Sequence, residues 1–209
     1  MRTAVGRSLK TPNDHSTARR VVAVARRQFF AHGFRSVSMD DLAAELGMSK
    51  KTLYAAFPSK TALVEAVLHE KFRGVEADLR RATSEHSANV VAGLHHLLAC
   101  VQQHTAEIQP AFVRDIGRDT PELFAFVERR RRDVIGRYFG RLFEEGRKAG
   151  VIRKDIPPHL IIEILLGAVQ SIMNPAKMAE LGLTPKTGFA MIITVFLKGV
   201  VTGTARGKL

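Results

Sequence analysis

Apolar residues recur at three- and four-residue intervals along most of the 209-residue chain. That spacing stacks them on one face of an α-helix. Val21, Val22, Ala25 and Phe29, with Phe30 at the edge, predict a helix over 17–32. Gly33 ends it, and Phe34 is placed to pack back over the last turn. Ser38 is a helix cap with Asp41 three residues on, and Leu42, Ala43 and Leu46 give the following short helix its buried face. Gly47 stops that helix, because glycine enters the left-handed region without steric cost. Ser49 caps another short helix whose inner face carries Leu53, Ala56 and Phe57, and Pro58 closes it. Ser59 opens a long helix over 60–82 with Leu63, Ala66, Val67, Phe72 and Val75.

The pattern continues beyond a polar junction at 84–89. Val90, Val91, Leu94, Leu97, Leu98 and Val101 predict one helix. Gln109-Pro110 breaks it, and Phe112, Val113 and Ile116 mark a short helix over 111–118. Thr120-Pro121 is a strong start signal, a capping residue followed by proline at the first helical position; the helix it opens runs to about 149, before Gly150. Residues 160–173 are apolar nearly all round. Asn174-Pro175 breaks them, 176–181 adds a turn or two, and Thr184-Pro185 opens the last helix with Phe189, Ile192, Ile193, Phe196, Leu197 and Val200. The segments 1–16 and 202–209 show no periodicity and read as a basic arm and a frayed tail. The expectation is an all-α chain of about nine helices, without strands or internal repeats.

Composition changes this picture in one respect. Hydrophobic and charged contents of 45% and 25% are ordinary for a globular protein, but the net charge is +12. The excess is uneven. Residues 1–60 hold eleven basic residues against four acidic ones, so less than a third of the chain carries more than half of the excess. A polyanionic partner is implied, nucleic acid above all. Cys100 is the only cysteine, which excludes an intrachain disulfide and suits a reducing cytoplasm. The basic N-terminus is followed by no apolar segment of signal-peptide type. The longest apolar run, 160–173, is too short to span a bilayer and contains Glu163.

The stretch SMDDLAAELGMSKKTLYAAFPSKTAL, 38–63, unites these signals. Helix, glycine turn and short helix with a basic outer face is the form of a helix-turn-helix DNA reader. Lys50, Lys51, Thr52 and Tyr54 point outward as donors for phosphates or base edges. The stretch resembles the DNA-binding domain of the TetR family of bacterial transcription regulators. The resemblance rests on Ser38, Asp41-Leu42-Ala43, Gly47, Ser49, Thr52-Leu53-Tyr54, Phe57 and Ser59-Lys60, with Phe30-Ala31-His32-Gly33-Phe34 upstream, and covers about 17–65. It implies that Ser38, Ser49, Tyr54 and Lys60 hold phosphates, the two serines at helix N-termini that favour anions. Lys51 and Thr52 are the expected base readers. Ala55 stands where many relatives carry a histidine or an aromatic residue, and Lys51 where many carry glycine, so the family's base code does not transfer directly. Lysine suits guanine acceptors and alanine a thymine methyl.

The resemblance further implies a basic arm at 1–16, a DNA-binding domain at 17–62, a helical ligand-binding and dimerisation domain at 63–204, and a tail at 205–209. It implies a cytoplasmic homodimer that associates with the nucleoid when bound to a palindromic operator and is released by a small-molecule effector. Candidate pocket residues are Phe72, Leu98, His104, Phe112, Ile116, Phe126, Tyr138 and Met173, with Arg114, Asp115 and His104 available to a polar group. Candidate dimer residues are Leu160, Ile164, Ala168, Ile192, Phe196 and Val200 on the two most apolar helices. His96, Cys100 and His104 recur at every fourth position, but a fourth ligand is lacking and a polar flank is the better reading; no metal and no cofactor are expected. Glu128 with Arg132 and Arg129 with Asp133 have the spacing of ion pairs on one helix. An effector-independent or nucleoid-associated DNA-binding protein is the alternative reading. A helical enzyme is disfavoured, since no nucleophile–base pair, phosphate loop or metal motif is present. A protein-interaction module built on the last two helices is the remaining rival.

Overall fold

The computed structural model describes residues 12–85, 89–173 and 175–203. Among them are ten helices: α1 (Pro12–His32), α2 (Met39–Leu46), α3 (Lys50–Ala56), α4 (Lys60–Glu85), α5 (Val90–Ala106), α6 (Pro110–Asp119), α7 (Pro121–Lys148), α8 (Pro158–Ile172), α9 (Pro175–Glu180) and α10 (Pro185–Val200). The tenth is the short α9, anticipated only as a turn or two. No strand occurs among the described residues, and Ile152 with Val201 forms an isolated antiparallel bridge.

Three boundaries differ from expectation. Helix α1 is already helical at Pro12, so 12–16 belong to it rather than to an arm. These residues carry no apolar repeat, and a purely polar turn leaves no mark on hydrophobic periodicity. Helix α4 extends to Glu85. Thr202 is pinned rather than frayed, its N–H donating to the Val151 carbonyl at 2.9 Å and its hydroxyl to the Gly150 carbonyl at 3.0 Å. The arm's Arg2, Arg7 and Lys10, residues 86–88 of the polar junction, the break at Asn174 and the tail 205–209 lie outside the described residues.

Burial divides the chain into two cores. The first gathers Val21, Ala25, Phe29 and Phe30 of α1, Leu42 and Leu46 of α2, Leu53 of α3, Leu63, Val64, Val67 and Leu68 of α4, Phe112 and Ile116 of α6, and Leu123 of α7. The second joins Leu79 of α4 to Leu94 and Leu97 of α5, Phe139 and Phe143 of α7, Ile161 and Leu165 of α8, and Phe196 and Leu197 of α10. The core of the N-terminal head thus draws on residues well beyond 62. Helices α4 and α7 serve both cores, α4 contributing to the first up to Leu68 and to the second from Phe72.

At the changeover on α4 stands Lys71, only 5% exposed. Its ammonium donates to the carboxylate of Glu107 and to His104 Nδ1 at 3.0 Å. Burial pushes the Lys71 pKa down to about 8 from the ordinary 10.5, because a low-polarity site disfavours the charged form. Between those two values the unfolded chain binds a proton that the folded chain does not. This group therefore makes stability rise with pH from about 8 towards 10.5. The prediction is that Lys71→Met flattens that rise relative to the wild type, as read from urea unfolding at fixed ionic strength.

Candidate nucleic-acid interface

Three capped helix starts and two left-handed glycines set the geometry of the head. Ser38 Oγ accepts from the Asp41 N–H at 3.1 Å, while the Ser38 N–H donates to the Asp41 carboxylate at 2.9 Å, a reciprocal capping box. The Ser38 hydroxyl also donates to that carboxylate at 2.6 Å. These bonds hold the Asp41 carboxyl below its usual range. Gly47 leaves α2 at φ +63°, a left-handed conformation that a β-carbon disfavours. Ser49 then caps α3, accepting from the Thr52 N–H at 3.1 Å. Ser59 opens α4 in the same way, accepting from the Ala62 N–H at 3.0 Å.

Helix α3 is seven residues long and buries one of them, Leu53. Most of its remaining surface is exposed. Lys50, Lys51, Thr52 and Ala55 are exposed, and Tyr54 is 46% exposed. The structure brings Ser38, Ser49, Lys50, Lys51, Thr52 and Tyr54 together on α2, α3 and their caps. The contact that shows this is between Lys50 Nζ, at the start of α3, and Asp40 Oδ2, in the first turn of α2, 2.5 Å apart. That pairing was not anticipated, since α2 and α3 meet through a turn whose path only the fold reveals. Thr52 Oγ1 lies 2.9 Å from Ser49 Oγ.

Lys60 sits differently. It is half-buried, with its ammonium 4.3 Å from the centre of the Phe34 ring, a cation–π arrangement. Burial lowers its pKa, against the pull of Asp115, Asp119 and Asp41.

The head is tied together by charge as well as by its core. Arg20 donates to the Leu46 carbonyl at 2.7 Å, and Glu45 accepts from Arg27 and, at 2.7 Å, from Gln28. Helix α6 is fastened beneath it. The Arg35 N–H donates to the buried Asp115 carboxylate at 3.0 Å, the Arg35 guanidinium pairs with Asp119, and the Gln109 N–H donates to the Phe30 carbonyl at 2.9 Å. Gly33 permits this approach. It has φ +91°, and a β-carbon there would stand 2.8 Å from Asp115 Oδ2.

The candidate pocket residues divide between the two cores, with Phe72 and Phe126 meeting across the divide, their ring centroids 6.1 Å apart. Phe112 and Ile116 belong to the first core and Phe126 packs against it, whereas Leu98 belongs to the second and Phe72, Tyr138 and Met173 pack against that one. His104 is engaged by Lys71 and, through Nε2, by Asp78 Oδ2 at 2.9 Å. Asp115 serves the α1–α2 turn, with the largely exposed Arg114 beside it. Among the candidate dimer residues, Leu160 and Ile164 are 46% and 53% exposed, and Ala168 is half-buried. Ile192, Phe196 and Val200 are buried in the chain's own core instead. The outward apolar positions of α10 are Met191 and Val195, 57% and 73% exposed. Ile164, Ala168, Ile192 and Phe196 nevertheless line one shallow apolar groove of about 260 Å³.

The His96–Cys100–His104 stripe splits. His96 is exposed, and Cys100 is half-buried against the second core with its thiol pKa pushed up by burial. Among the described residues, no group of three or more His, Cys, Asp or Glu side chains is placed to hold a metal ion. The arginine run pairs otherwise than its spacing suggested. Arg131 binds Glu128 on its own helix, but Arg130 reaches Glu76 of α4 and Arg132 reaches Glu163 of α8. Acids on neighbouring helices compete for these guanidinium groups, and they are invisible to a rule about one helix.

A capped helix–glycine turn–helix head with an exposed basic reading helix, fastened to a second helical core, defines a helix-turn-helix transcriptional regulator. Residues 21–67 match the sequence profile of the family described as "Bacterial regulatory proteins, tetR family". Residues 21–67 are thus a TetR-type DNA-binding domain, and the chain is a TetR-like DNA-binding transcriptional regulator. The HTH-type transcriptional regulator YvaF of Bacillus subtilis, itself described as uncharacterized, is 26% identical over 186 residues, 87% of this chain and 94% of that protein. UidR of Escherichia coli, also an HTH-type transcriptional regulator, is 24% identical over 194 residues, 89% and 93% of the two chains. A TetR-family regulator from Agrobacterium tumefaciens shares the fold, with a TM-score of 0.73 at 18% identity over 91% of this chain and all of its own.

Three substitutions test the head. Leu53→Ala removes the single buried side chain of α3 and costs about 2–5 kcal/mol of stability, with loss of DNA binding; urea unfolding and fluorescence anisotropy measure the pair. Lys60→Ala is expected to weaken binding to every duplex and to lower the slope of log K against log salt by about 0.9, one phosphate contact. Lys51→Ala is expected to alter base preference in a randomised-site selection with that slope nearly unchanged.

Proposed function

We propose that the protein is a cytoplasmic, non-enzymatic repressor that binds a palindromic operator as a homodimer and releases it when a small molecule occupies its second core. The observation that carries this reading is the continuity of α4, which starts beside the reading helix and ends among the residues of the second core. A ligand that alters packing around Leu98, Tyr138 and Met173 acts directly on the helix that holds the head. Release requires tighter binding to the DNA-incompetent state, since equal affinity for both states shifts nothing. No helix among the described residues is long and apolar enough to cross a membrane.

Dimerisation is supported by the apolar face of α8 and α10, where Leu160, Ile164, Met191 and Val195 stand exposed. Side chains of this kind and number call for a partner surface. A second copy of the same face suits two heads that read a two-fold symmetric site. Val195→Glu is expected to shift the protein to monomer in light scattering and to weaken operator binding at least tenfold, while leaving the head folded.

Selection of bound fragments from the source genome, with purified protein at physiological salt, tests the function itself. Enrichment of one short palindrome at dimer stoichiometry is expected. Broad recovery without a shared motif would favour an effector-independent, nucleoid-type binder instead.

A further inference from the structure

A chain of charged and polar groups crosses from the reading head to the second core. Arg26 of α1 donates from Nη2 to both carboxylate oxygens of Glu107, at 2.8 Å each. Glu107 lies just beyond α5 and also accepts from Lys71 of α4. Lys71 donates to His104 Nδ1 at 3.0 Å, and His104 Nε2 meets Asp78 Oδ2 at 2.9 Å. With Nδ1 accepting from an ammonium, Nε2 carries the proton and donates to the carboxylate, so a neutral imidazole satisfies both contacts. The direction of the His104 pKa agrees: burial first, then Lys71, press it down, against the opposing pull of Asp78.

The position of this chain gives it meaning. Arg26 sits one residue after the first-core residue Ala25, and Lys71 marks the changeover of α4 between the two cores. Apolar packing holds each core together but has little directional preference. A multiply hydrogen-bonded ion pair between charged groups fixes direction, and its strength rises as it leaves water. Here the central member is 95% sequestered while Arg26 and Glu107 keep about a third of their side-chain surface exposed. Arg26 and Glu107 can therefore be changed without emptying a core.

We infer that Arg26, Lys71 and Glu107 are positioning residues for DNA binding, whose ion pairs set the angle at which the reading head is held against α4 and α5. They touch no DNA in this role. They act by holding α1, and through α1 the helices α2 and α3, in one setting. The inference rests on the DNA-reading assignment of the head. Two of its tests use DNA, and one does not.

The test without DNA measures a distance. Spin labels at Ala44→Cys in the head and Arg129→Cys on α7, in a Cys100→Ser background, report the head setting in full-length protein diluted with unlabelled chain. A single narrow distribution is expected. Arg26→Ala or Glu107→Ala is expected to broaden or shift it, and the double substitution to do no more than either alone. Arg26→Lys, which keeps the charge, is expected to restore the narrow distribution. Unchanged distributions in both single variants, or effects that simply add, would overturn the inference.

The DNA tests use the palindrome recovered by genomic selection, with its half-site spacing randomised, and a random-sequence duplex. Glu107→Ala is expected to relax the preferred spacing and to weaken binding to the parent palindrome about tenfold, with random-duplex affinity within twofold of wild type. A retained spacing preference in a folded variant contradicts the positioning role, because a merely stabilising contact would leave spacing unmoved. Failure of the wild-type protein to enrich any palindrome would sink the operator reading and leave the distance measurement to decide the head-setting role.

Discussion

The continuity of α4 constrains the rest of the structure. One helix of 26 residues buries its first turns under the reading head and its later turns in the second core. It has no break at which the two halves could move independently. Its sequence must therefore satisfy two cores in succession, and Lys71 occupies the crossing point, where neither core completes its surroundings. A buried cation is costly unless it is paired. Glu107 and His104 pair it, and in doing so they connect α4 to the end of α5 and, through Arg26, to α1.

The reading helix depends on this arrangement more than on itself. Seven residues are too few to be helical alone in water, and α3 contributes only Leu53 to the core. What holds it is external: the Ser49 cap before it, the closing bond from the Phe57 N–H to the Leu53 carbonyl at 2.9 Å, and the packed trio of α1, α2 and α4. This economy leaves most of the helix surface exposed. Helix α6 adds a second attachment at the α1–α2 turn, where the buried Asp115 takes the place of a solvent partner for the Arg35 N–H.

Much of the head was legible in the sequence because its signals are local. Ser38 with Asp41, Gly47 and Ser49 are read within a few residues of one another, and the structure places each as the pattern requires. The two cores were legible only as apolar faces. Periodicity places Phe112 on an apolar face, but does not say that it belongs with the head rather than with Leu98 and Tyr138. On α10 Ile192, Phe196 and Val200 read as dimer-face candidates, and they are buried in the chain's own core; Met191 and Val195 are the outward apolar positions. Long-range charge contacts were the least legible. Arg26 and Glu107 are 81 residues apart, and no rule of spacing joins them.

The most direct test of the head as a DNA reader is amide hydrogen exchange of the whole protein, free and with a saturating selected duplex. Slowed exchange is expected at the caps and first turns of α2 and α3, residues 38–41 and 49–54, with changes along α4 reporting the coupled core. Protection confined to α7 or α8, with 49–54 exchanging as in the free protein, would contradict the assignment of α3 as the reading helix.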